Sequence, residues 1–154
     1  LGNLSSTILI GVAMVLLLGL SVVLQGFRTK RSPMGKVVGI ASDVRHNEKL
    51  CNNISENRSI GRFKMAAWDK NKESVDFLPE ELLAELSKLF ETIAELSVSI
   101  DTARRLGSTG YVSTSDIEKL EAPLASCKDK LQEWVYANMN NPDYLPKKRS
   151  IFRR

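Results

Sequence analysis

Residues 79–107 read PEELLAELSKLFETIAELSVSIDTARRLG. Leu82, Leu86, Leu89, Ile93, Leu96, Ile100 and Ala103 recur at spacings of three and four, and Leu83 and Phe90 widen the stripe. That period puts the apolar side chains on one face of an α-helix. Pro79 suits a first turn because its missing amide would have no partner there, and Glu80 and Glu81 complement the positive end of the helix dipole. Arg104 and Arg105 sit at the negative end, and Gly107 supplies the stop. A one-faced helix of this length needs partners, and its neighbours in the chain provide them.

Downstream, Ser115 and Glu118 have capping-box spacing. Ile117, Leu120, Leu124, Cys127, Leu131 and Trp134 continue an a/d seam of the coiled-coil kind. Pro123 interrupts this seam, which predicts a kink or a helix start at that residue. Asn140-Asn141-Pro142 closes the segment. Upstream, Val37, Ile40, Val44, Cys51 and Ile54 also follow a helical period, with Leu50 beside Cys51 and a polar gap at Asn47. The expectation is one long, bent helix running on to Phe63, Met65 and Trp68, with a break near Gly61 as the alternative. A polar loop is expected from Asn71 to Asp76. Period-two alternation is confined to Tyr111-Val112-Ser113, so no strand is expected. The soluble part is predicted to be a small antiparallel bundle of about three helices.

The other decisive stretch is Leu4 to Leu24, LSSTILIGVAMVLLLGLSVVL, within a residue 1–27 segment that has no charged side chain. A helix of 21 residues spans roughly 30 Å, the thickness of a bilayer's hydrocarbon core. The run is apolar on every face, which separates it from an amphipathic core helix. A cleaved secretory signal would have a basic start, a shorter apolar run and small residues at a cleavage site. Nothing basic precedes this run, so a retained anchor is expected. The sequence begins with Leu1, so an initiator Met or a short leader is expected before it. Gly11 and Gly19 do not form a GxxxG pair and give no strong dimerisation face.

Arg28, Lys30, Arg31 and Lys36 follow the apolar run with no acid before Asp43. Basic residues beside a span stay on the cytoplasmic side, which predicts a cell-membrane protein with its amino terminus outside and its carboxy-terminal part in the cytoplasm. The sequons at Asn3, Asn53 and Asn57 are then chance matches, and Cys51 and Cys127 are reduced thiols. The full expectation is an all-α protein with a single N-terminal transmembrane helix ahead of a small antiparallel helical bundle. It divides into an anchor over 1–27, a basic juxtamembrane hinge over 28–36 broken by Pro33 and Gly35, a cytosolic bundle over 37–146 and a basic tail over 147–154.

Net charge is +4 on 154 residues, and it is partitioned. The tail carries Lys147, Lys148, Arg149, Arg153 and Arg154, whereas residues 73–101 hold eight acids and one Lys. Basic residues around Ile151 and Phe152 suit anionic lipid headgroups, as does the juxtamembrane cluster. A solvated, frayed tail is the plain alternative. Nucleic acid is disfavoured because the acidic bundle would repel phosphate.

Catalytic signals are thin. His46 is the only histidine. On a helix it shares a face with Asp43 and Asn47, while Glu48 points elsewhere. A catalytic zinc site takes three protein ligands, and one His with one carboxylate falls short. Cys51 and Cys127 lie on apolar stripes and read as small hydrophobes. The five-residue step from His46 to Cys51 points the two apart, so no Cys–His nucleophile is expected. Phosphate-loop, dinucleotide-binding, zinc-protease and serine-hydrolase motifs are absent. Trp68 and Trp134, at helical spacing, read as core rather than recognition aromatics. No cofactor, metal ligand or catalytic residue is assigned. The expected function is that of a single-pass, membrane-anchored helical interaction or scaffolding module, whose partner is another protein or a second copy. A small accessory subunit of a larger membrane complex is the alternative, and a metal-dependent enzyme or sensor built on His46 is a weaker one.

Overall fold

The computed structural model describes residues 32–55, 61–107 and 114–146. Its elements are α1 (Pro33–Ser55), α2 (Ala66–Asn71) with a 3-10 turn over Lys72–Ser74, α3 (Glu80–Arg105) and α4 (Thr114–Asn138). Among the described residues every regular element is helical, and no helix is long and apolar enough to cross a membrane. The expected anchor over 1–27 lies outside the described residues, as do Tyr111–Ser113.

α4 is the central element. Lys130 of α4 bonds Glu81 and Glu85 of α3, and Ser126 bonds Glu85, so α3 and α4 run antiparallel. Lys128 bonds Glu48 of α1 at 2.6 Å while the α1 start meets Tyr144 just past the α4 end, so α1 is antiparallel to α4 as well. The antiparallel bundle expected from the three apolar stripes is therefore present. Its core holds Leu82, Leu86, Leu89, Phe90 and Ile93 of α3, and Ile117, Leu120, Leu124, Cys127 and Leu131 of α4. Each such side chain taken out of water contributes roughly 1.5–3 kcal/mol of hydrophobic free energy before entropy is counted.

Three local expectations are corrected. The long helix to Trp68 is not formed: α1 is described to Ser55, and residues 61–65 belong to no regular element and lead into α2. This return segment doubles back along α1, with Arg62 beside His46, Lys64 beside Asn47, Ala67 beside Asp43 and Ser74 beside Lys36. It is the second limb of an up-down-up-down arrangement, only part of which is helical. Gly61 packs against Leu50: a Cβ there would come within 2.6 Å of the Leu50 Cδ1 atom, so that side chain would have to shift.

The second correction concerns Ser32-Pro33-Met34-Gly35, which forms no hinge. Pro33 is the first residue of α1, Ser32 Oγ accepts the Gly35 N–H at 3.1 Å, and Met34 is fully buried. A serine cap followed by Pro at the first helical position is a helix start, so the bundle begins at Ser32 rather than 37. Third, of the two alternatives at Pro123 the helix start is not seen, because α4 runs through that residue. Pro123 is exposed, so the carbonyl it leaves without an amide donor can face water. Gly107 ends α3 in the left-handed region at φ 64°, as its position after the Arg pair predicts.

Candidate functional site

Two places in the bundle bring chemistry-bearing residues together. The first is the polar face of α1. Asn47, fully buried, donates from Nδ2 to the Lys64 carbonyl and accepts the Lys64 N–H at Oδ1, both at 2.8 Å. Asp43, also buried, accepts the Ala67 N–H at 2.8 Å. Ala67 lies in the first turn of α2, whose own N-cap residue Met65 makes no side-chain cap, so Asp43 caps this helix from across the interface. His46 Nε2 lies 3.3 Å from the Arg62 carbonyl, a bond that requires the proton on that nitrogen. The face shared by Asp43, His46 and Asn47 is thus a ladder of side chains that bonds the backbone of the return limb at Arg62, Lys64 and Ala67. A segment without helix or sheet partners takes its hydrogen bonds elsewhere, and α1 provides these.

That use occupies the only histidine. Among the described residues no group of three His, Cys, Asp or Glu side chains could hold a metal ion. Cys51 and Cys127 are both buried, and burial pushes each thiol up to about 11. A thiol in that state is protonated at neutral pH and is a poor nucleophile. Trp68 stacks on Phe90 of α3 with centroids 5.1 Å apart and planes 6° from parallel, which places it in the core.

The second place is the end of the bundle where α1 starts and α4 finishes. Met34 N–H donates to the Tyr144 carbonyl at 3.0 Å. The Tyr144 ring packs against Phe77 at 5.4 Å and Trp134 at 5.1 Å, and Phe77 meets Trp134 at 5.5 Å. This aromatic triad ties the residues after α4 to the turn before α3. Trp134 is half-buried there, and Val135 takes the fully core-facing position next to it. Among the basic residues singled out by the sequence, Lys36 is at this end, half-buried, with Nζ 3.3 Å from the Ser74 carbonyl. Arg28, Lys30, Arg31, Lys147, Lys148, Arg149, Arg153 and Arg154 lie outside the described residues. The chain enters at Ser32 and leaves at Pro146 on the same end, so both basic segments are attached there.

Across the bundle surface, α2 and α3 border a groove of about 730 Å³. Leu83, Ala84 and Ala94 line it beside the stacked Trp68 and Phe90, and Asp69, Glu73, Glu80 and Glu91 stand along it. Glu73, Glu80 and Glu91 are three of the eight acids of residues 73–101. The groove itself was not legible from periodicity, because its second wall is the return limb. Comparison with protein families, with curated proteins and with solved structures returns no match.

Proposed function

We propose that the chain is a single-pass, membrane-anchored helical interaction module. Residues 4–24 act as the tether, the bundle lies on the cytoplasmic side, and the basic segments face anionic headgroups. The observation that carries this reading is the Met34–Tyr144 hydrogen bond, which holds the entry and exit of the bundle together. Arg28, Lys30 and Arg31 precede that end and Lys147, Lys148, Arg149, Arg153 and Arg154 follow it. A tether attached there would bring both clusters to the membrane surface, where each Lys or Arg contributes about 1 kcal/mol on an anionic leaflet. Lys36 belongs to the same end, with one of its three ammonium donors on the Ser74 carbonyl.

The rest of the chain favours binding over turnover. The one histidine bonds a backbone carbonyl, both thiols are buried, and the groove between α2 and α3 is lined by carboxylates over apolar side chains. The test is extraction. Full-length chain is expected to stay with membranes through an alkaline carbonate wash, and residues 28–154 alone are expected to be released by it. Those residues should then sediment with phosphatidylserine-containing vesicles and not with phosphatidylcholine vesicles at low salt. Release of the full-length chain would contradict the tether, and equal binding to both vesicle types would contradict the headgroup contact.

A further inference from the structure

The acidic groove between α2 and α3 has an apolar floor, and the segment that matches it is in the same chain. Residues 147–154 read KKRSIFRR, five basic side chains around an Ile-Phe pair. The groove offers Glu73, Glu80 and Glu91 over Leu83, Ala84 and Ala94, while Asp69 is paired at 3.8 Å with Lys72, the one cation among its lining residues. Reach also agrees. Tyr144 packs on Phe77, in the short turn between Ser74 and Glu80, and the groove starts on both sides of that turn at Glu73 and Glu80. From Glu80 to Ala94 a helix rises roughly 21 Å. Eight extended residues span at most about 26–29 Å. Helix α3 offers no other basic residue toward the groove, since Lys88 lines the opposite groove against α4.

We propose that the groove is the docking site of the chain's own segment 147–154, with Ile151 and Phe152 on the Leu83 floor and the lysines and arginines against the carboxylates. The inference is independent of the membrane tether. Because the same basic residues suit anionic headgroups, groove and membrane compete for one segment, and docking dominates where anionic lipid is absent.

Photo-crosslinking of the full chain tests this. Phe152 is replaced by p-benzoylphenylalanine, and the protein is irradiated in phosphatidylcholine nanodiscs as a mixture of isotopically light and heavy copies. The expected products join residue 152 to Met65, Leu83 or Phe90 within one copy. The triple variant Glu73→Lys/Glu80→Lys/Glu91→Lys alters three exposed side chains, so its helical circular dichroism is expected to match the parent. Its crosslink yield is expected to fall about tenfold, the sum of a few exposed ion pairs. Adducts confined to lipid, adducts joining light to heavy copies, or an unchanged yield in the triple variant would each overturn the assignment.

Discussion

Asn47 and Lys64 are joined by two hydrogen bonds of 2.8 Å, one in each direction, between a buried side-chain amide and a backbone peptide. The amide of Asn47 takes the place of a neighbouring strand. Asn47→Ala would leave a donor and an acceptor of Lys64 without these partners at a part-buried contact. Each such bond contributes roughly 0.5–1.5 kcal/mol, so a destabilisation of about 1–3 kcal/mol is expected. Thermal unfolding of the full chain in mild detergent measures it. Asn47→Asp keeps the acceptor but sets a carboxylate oxygen against the Lys64 carbonyl in a fully buried position, so it should cost at least as much as the Ala variant.

Asp43 acts on the next rung as a cap supplied from another helix. Asp43→Ala is expected to cost about 1–2 kcal/mol, and Asp43→Asn, which retains an acceptor oxygen, clearly less. Amide exchange at Ala67 gives the local readout: its protection should drop in Asp43→Ala while that of Leu86, in the middle of α3, changes only with global stability.

The buried thiols predict silence toward reagents. Cys51 and Cys127 should react with a disulfide reagent at pH 8 only as the protein opens, so the rate should follow unfolding rather than thiol ionisation. Their raised pKa values also give a sign. A group held protonated in the folded state lends its stability below the unfolded value of 9.0, and that contribution is lost as pH climbs toward about 11. Stability should therefore decline over that alkaline window, and Cys51→Ala/Cys127→Ala should decline less steeply through it.

The α3–α4 contact has its own pH dependence at the acid end. The Lys130 ammonium group bonded to Glu85 holds that carboxyl below its usual range, while the same bond raises Lys130. Glu85 therefore favours folding above its unfolded pKa near 4.5, and the effect is lost as pH falls through the lower folded value. The difference in unfolding midpoint between parent and Glu85→Gln should be present at pH 7 and should close at strongly acid pH. Because both side chains are more than a third exposed or close to it, added salt should narrow the gap at pH 7.

What was legible in the sequence is what periodicity controls. Every position of the Leu82–Ala103 stripe is buried, and the seam from Ile117 to Leu131 is buried in register. One step later Val135 is the core residue, while Trp134 turns to the aromatic triad with Phe77 and Tyr144. The return limb was not legible, because residues 61–67 have no period of their own. Their backbone is satisfied by side chains 16 to 24 residues away in sequence. The signal was nonetheless present: Asn47 occupies a place on the apolar stripe between Val44 and Cys51, where a polar side chain must have a buried partner. Likewise Ser32-Pro33 reads equally well as a chain break or as a helix start. Only the burial of Met34 and its bond to Tyr144 decide for the start.

The proposed tether at the Met34–Tyr144 end would leave the bundle in the cell interior. Protease shaving of sealed, right-side-out cells carrying an epitope after Arg154 tests this most directly. The epitope and the bundle should survive until the membrane is permeabilised, and should then be digested together. Digestion of the bundle in intact cells, with the membrane unbroken, would contradict it.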